Sequence, residues 1–194
     1  MIIIFNIFCK FCFSQINQSQ GGIFAQEYSK ELTEYRVKTF IVNEIYKLEE
    51  NQAINLEVNS ITASRSGEIT SVVYKCKEQE KKGLIFAFYG SYVNEFNLYY
   101  TGYAFKNLDK DKAKQLFENI ETVINNNDIF FNPPPETITS PDLNIVFKFE
   151  DMTFIFYKGN LGTNQIRVIW KNFDSEWNMS NLKTTQKRFN KYFN

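Results

Sequence analysis

Val72-Val73-Tyr74-Lys75-Cys76, Phe86-Ala87-Phe88-Tyr89 and Phe105-Lys106-Asn107-Leu108-Asp109 recur later in the chain, in the same order. The second copies are Ile145-Val146-Phe147-Lys148-Phe149, Phe154-Ile155-Phe156-Tyr157 and Trp170-Lys171-Asn172-Phe173-Asp174. Each set is followed by a stretch with helical periodicity. The pattern predicts a duplicated architecture: β-β-β-α, a proline-rich linker, then β-β-β-α, preceded by one or two further strands.

Outward from these signatures, the first half reads as strands at 53–63 and 68–78, split by Ser64-Arg65-Ser66-Gly67. Gly67 suits a turn that needs positive φ. Lys81-Lys82-Gly83 turns into Leu84–Tyr89, wholly apolar and so a central strand. Gly90–Glu95 reads as a loop and Phe96–Lys106 as the next strand. Asp109 then opens a helix in which Ala113, Leu116, Phe117, Ile120, Val123 and Ile124 form one apolar stripe. Asn125-Asn126-Asn127 ends it. Pro133-Pro134-Pro135 and Pro141 make 128–142 an extended linker, because proline can continue neither a helix nor a central strand.

In the second half, strands are expected at 143–150, 152–158 and 164–171. A helix follows at about 178–192, with Leu182, Gln186, Phe189 and Phe193 on one face. Residues 25–50 are ambiguous. Val37, Phe40, Ile41, Ile45 and Leu48 fall at helical spacing, whereas Phe40, Val42, Tyr46 and Leu48 fit alternation. Because Thr, Val and Ile lower helix propensity, we expect a short helix near 26–33 and a strand within 35–48. Short turns force antiparallel pairing, and helices after each strand set cover one face. The fold class is therefore α+β: a largely antiparallel sheet with helices on one face and a tandem β-β-β-α repeat. Residues 25–194 form a single domain, with halves at about 53–127 and 143–194.

Composition narrows the function. The 194 residues contain 22 Lys+Arg and 22 Asp+Glu, so the basic excess of a nucleic-acid binder is absent. Aromatic residues make up 17% of the chain, which favours sheet and packed core over disorder. Residues 2–13 form an apolar block too short to span a bilayer as a mature helix, and it fits the apolar region of a signal peptide. The ending Phe-Cys-Phe-Ser-Gln resembles Gram-negative signal peptides, which puts cleavage after Ser14 and a flexible mature start at 15–24. Two departures stand against this: no Lys or Arg follows Met1 before the apolar run, and Lys10 interrupts it. A buried N-terminal strand is the bland counterpart. Cleavage leaves Cys76 alone, as a buried strand residue without an internal disulfide.

The chain has no histidine, which removes Ser-His-Asp and Cys-His catalysis and His-ligated zinc. No glycine-rich phosphate loop is present, and no cofactor is expected. Carboxylates remain. Asp109 and Asp174 match in the repeat, with Asp111 and Glu176 two residues on, so a general acid–base pair or a hard-cation site is one reading. The plainer reading makes Asp109 a helix cap and Asp174 a turn residue. Tyr92, Tyr99, Tyr100 and Tyr103 cluster around one strand, a candidate surface for a protein or glycan partner or else ordinary strand packing. Asn17-Gln-Ser and Asn178-Met-Ser match the glycosylation pattern, which matters only in a eukaryotic cell.

These readings favour a secreted or periplasmic, non-enzymatic binding protein whose partner is an unknown protein or glycan. No nucleic acid and no membrane span of the mature chain are expected. A carboxylate-dependent enzyme or cation site is one alternative. A carrier holding an apolar ligand between sheet and helices is another.

Overall fold

The computed structural model describes residues 31–93, 96–135, 143–159 and 162–194. The expected signal peptide, the 15–24 segment with Asn17-Gln-Ser, residues 26–30 of the helix expected near 26–33, and 136–142 of the linker lie outside the described residues. The fold is α+β, with two four-stranded antiparallel sheets, each a simple meander. The first sheet contains β1 (Leu56–Ala63), β2 (Ile69–Cys76), β3 (Lys82–Val93) and β4 (Tyr99–Asp109). The second contains β5 (Ile145–Phe149), β6 (Met152–Lys158), β7 (Asn164–Trp170) and β8 (Phe173–Asn178). Helix α1 covers residues 31–46, its last turn (Ile41–Tyr46) wound as a π-helix. Helices α2 (Lys110–Asn126) and α3 (Asp128–Phe131) follow β4, and α4 (Met179–Phe193) follows β8.

Each half is four strands followed by helix, one strand longer than the sequence signatures suggest, and the two groups hint at a repeat. Phe173–Asn178 supplies the unread strand. Its buried Phe173, Ser175 and Trp177 alternate with outward Asp174 and Glu176 and half-buried Asn178. The signatures are consequently one strand out of step. They align β3 with β6, although β3 is third in its sheet and β6 second. Phe86, Phe88, Phe154 and Phe156 are all buried core residues, as expected. Phe105 and Trp170 are not equivalent. Phe105 meets Phe40 of α1 at 5.1 Å, on one face of the first sheet, while Trp170 meets Phe88 at 5.1 Å on the other.

The region expected as a strand within 35–48 is helical. Thr33, Val37 and Ile41 repeat at i, i+4 and i+8 and are buried. They cover Val72, Tyr74, Cys76, Ile85 and Ala87 on the outer face of the first sheet. Burial of that stripe outweighs the modest helix propensity of Thr, Val and Ile. Helix α1 thus lies on the opposite face from α2 and α4. Cys76 is buried there, its thiol donating to Glu78 Oε2 at 3.3 Å. The inner face of the first sheet carries Ile69, Val73, Leu84, Phe86 and Phe88, which join α2, α4 and the second sheet in one core. Phe86 packs edge-on against Trp177 at 5.5 Å, and Phe117 of α2 meets Phe189 of α4 at 5.4 Å. The linker is not extended from its start, because Asp128–Phe131 forms α3 and buries Phe130 and Phe131.

Both edges of the core are tied. The β1 edge lies against α4, where Asn181 Nδ2 donates to the Ala63 carbonyl at 3.0 Å and Arg188 Nη1 to the Ile61 carbonyl. A charged clasp joins the two units. Lys106 Nζ of β4 reaches Glu150 Oε2 at 2.7 Å and Asp151 Oδ1 at 2.5 Å, in the β5–β6 turn. Lys112 of α2 adds a bond to Glu150 Oε1 at 2.6 Å, and Trp170 Nε1 donates to Asp151 Oδ2 at 2.8 Å.

Candidate functional site: a projecting aromatic arm

Register builds the site. β2 pairs with β3 only as far as Ile69 opposite Phe88, and the Tyr89 amide still donates to the Glu68 carbonyl at 2.9 Å. From Gly90 onward β3 pairs with β4 alone. The rungs are Gly90–Gly102, Ser91–Thr101, Tyr92–Tyr100 and Val93–Tyr99. Four residues at strand rise give a two-stranded arm roughly 14 Å long beyond the sheet. The segment expected as a loop, 90–95, is thus strand as far as Val93.

At its base the arm is braced on both sides. On one face, Phe40, Phe105, Tyr103 and Tyr89 form a ring ladder, with centroids 5.1, 6.1 and 4.7 Å apart. Tyr103 Oη also lies 3.3 Å from Thr33 Oγ1 of α1. On the other face Gly90 and Gly102 leave a gap in the side-chain layer. Phe173 approaches there, so that a Cβ on Gly90 would sit 3.8 Å from its ring. Asn172 Nδ2, in the β7–β8 turn, donates to the Val93 carbonyl at 3.0 Å.

The four tyrosines do not form one row. Alternation sends Tyr99 and Tyr103 to one face of β4 and Tyr100 to the other. Tyr103 is half-buried and structural. Tyr99 is 83% exposed and Tyr100 is 46% exposed. Tyr92 stands opposite Tyr100 in the ladder. The structure adds Phe96, 73% exposed, Leu98, 54% exposed, and Tyr89, 42% exposed. Phe96 and Leu98, expected within a strand, precede β4, which begins at Tyr99, and both flank Asn97, whose φ is +58°. A left-handed backbone suits Asn97, whose short side chain tolerates this conformation.

The paired aspartates are not brought together. Asp109 Oδ1 accepts from the Lys112 amide at 2.8 Å as the N-cap of α2. It also lines a 420 Å³ cleft with Tyr74, Lys81, Lys82 and Lys110. The Tyr74 phenol is pushed up to about 12 by burial, against a hydrogen bond to Asn107. Asp174 lies on the second sheet, where Arg167 Nε donates to its Oδ1 at 2.7 Å. It is a strand residue rather than a turn residue. Asp111 and Glu176 follow their neighbours onto separate surfaces, α2 and β8. Among the described residues, no group of three or more Cys, Asp or Glu side chains is placed to hold a metal ion.

One apolar void between the sheets, lined by Ile69, Phe86, Phe88, Phe154, Val168 and Trp177, has no room for a water-sized occupant. Asn178 of the Asn178-Met-Ser pattern is the N-cap of α4, its side chain accepting from the Asn181 amide at 2.8 Å. Among the described residues no helix is long and apolar enough to cross a membrane. Comparison with known protein families, with curated proteins and with solved structures found no match to this chain.

Proposed function

We propose that this chain is a non-enzymatic binding protein, secreted or periplasmic, that engages a protein partner through the β3–β4 arm. One observation carries the reading. A braced two-stranded arm presents Phe96, Leu98, Tyr99 and Tyr100 to solvent at its far end. Such side chains supply contact area at low entropic cost and dominate interface energetics when a partner covers them. From Tyr89 to Tyr103 the only charged residue is Glu95, so recognition here is apolar and hydrogen-bonded rather than electrostatic. The apolar leader sequence supports the location.

Comparative pull-down from an envelope extract tests the role. Wild-type protein is expected to enrich a partner that Phe96→Ser/Tyr99→Ser does not. Equal enrichment by both would remove the arm from the interface. Intact mass of protein recovered from the envelope tests the location, with a mature start near Gln15 expected. A full-length species in the cytoplasm would contradict it.

A further inference from the structure

We propose a second binding site, for a saccharide, in the groove between the β1–β2 turn and the outward face of the second sheet. The groove is open and holds 470 Å³, the size of a small-molecule site. Its floor follows from register. Tyr157 pairs with Gln165, and Gln165 with Asn178, so an aromatic ring and two amides cross three strands in one row. Glu176 follows on the next rung, opposite Arg167. The facing wall is the β1–β2 turn. Gly67 takes φ +79° there, and its amide closes onto the Ser64 carbonyl at 3.0 Å, holding Arg65 at the rim.

The chemistry of this lining selects the ligand class. Arg65 has no ion pair and no hydrogen bond to any described residue, although it shares the groove with Glu176. The two opposite charges stand on separate walls without meeting, and a ligand between them can use both. Gln165 Nε2 donates to Thr163 Oγ1 at 3.1 Å, which fixes the amide plane, and Tyr157 Oη lies 3.5 Å from Glu176 Oε1. The Glu176 carboxylate, the Gln165 amide and the Arg65 guanidinium around the Tyr157 ring suit a polyhydroxylated ring, with the Asn178 amide, its oxygen engaged as the α4 cap, at the edge. Its hydroxyls both donate and accept, and its C–H face packs on the aromatic. One arginine opposed by one glutamate is a poor phosphate clamp. The row also offers no deep apolar pocket for a peptide side chain.

This site is independent of the arm, and its test separates the two. Saturation-transfer NMR on the whole protein would use maltotetraose, chitotetraose and tetragalacturonate as probes, with triglutamate peptide as a comparison. Saturable transfer to the ring protons of at least one saccharide is expected at millimolar concentration. Gln165→Ala and Arg65→Ala should each weaken it about tenfold, the loss of roughly one hydrogen bond. Both positions lie outside the core, and unchanged circular dichroism verifies folding. The Tyr99→Ser arm variant should bind as wild type does. The proposal is overturned by no saturable binding of any saccharide, by binding that survives Gln165→Ala, or by binding of the peptide alone.

Discussion

At the residue scale, glycine and serine give the sharpest tests. A Cβ on Gly83 would lie 2.3 Å from the Leu108 carbonyl oxygen and 3.1 Å from the Tyr74 ring. A strand backbone paired on both sides cannot retreat from that contact. Gly83→Ala should therefore destabilise by about 1–3 kcal/mol in urea denaturation. Gly102→Ala, in the open arm with nothing within 4 Å, should be close to neutral. Ser71 is buried on the inner face and its hydroxyl lacks a hydrogen-bond partner. Ser71→Ala removes an unsatisfied polar group, so a gain of about 1 kcal/mol is expected from the same measurement. Asp109→Ala should cost about 1 kcal/mol, as the loss of a cap that the sequence already announced. The Tyr99 site was only half legible. Clustering in sequence put Tyr103 and Tyr99 together, and alternation keeps them on one face, but the contact with Thr33 makes Tyr103 a brace at the base of the arm. The contact with α1 lies 70 residues away in sequence, so no local pattern could report it.

At the element scale, β8 and α1 depart from the sequence expectation for opposite reasons. Strand β8 carries a clear period of two, Phe173, Ser175 and Trp177 inward. That signal was available and was masked by Asp174, Glu176 and Asn178, residues depleted in strands. The turn before it, Lys171-Asn172, was in plain sight, with Lys171 at φ +51°. Helix α1 was the harder case. Its sequence fits both periods, and only the apolar outer face of the first sheet decides for the helix.

The Lys106 clasp was invisible in sequence, because β4 and the β5–β6 turn are distant in the chain. It has a pH signature. Hydrogen bonds from Lys106 and Lys112 hold the Glu150 carboxyl below its ordinary value. Burial pushes the Asp151 carboxyl up, but bonds from Lys106 and Trp170 outweigh it, and the net shift is downward. Lys106 loses charge stability to burial and regains more from Asp151 and Glu150, so it ends above its ordinary value. The carboxylate contribution is present above the unfolded values, about 4, and is lost as pH falls through the lower folded values. The Lys106 contribution is present below about 10 and is lost as pH rises through its higher folded value. Urea midpoints measured against pH should fall below pH ~4. Lys106→Met should flatten that acid limb and cost about 1–3 kcal/mol at neutral pH. An unchanged acid limb in the variant would show that the clasp contributes nothing.

At the scale of the whole molecule, the α+β class was legible; the two four-stranded groups hint at a repeat, but not in the phase the signatures set. Recurring Phe-rich strands pointed to antiparallel strands followed by amphipathic helices within one sheet, where the structure has two four-stranded sheets. They could not fix which strand matched which, because any central strand of such a sheet needs the same bulky apolar residues. Phe86→Ala and Phe154→Ala should each cost about 3–5 kcal/mol, since both rings are buried in the shared core. If the halves form one cooperative unit, both variants should unfold in a single transition, with fluorescence and circular dichroism coincident.

The arm is the part of this architecture that the core does not require. It extends past β2 and is braced by α1 on one side and by the β7–β8 turn on the other. Its apolar tip faces solvent. Site-specific photo-crosslinking from position 99, in cells carrying the full chain, tests that role most directly. A discrete crosslinked species is expected from position 99 and not from a probe at exposed Lys187 on α4. No crosslink from position 99, or the same species from both positions, would contradict it.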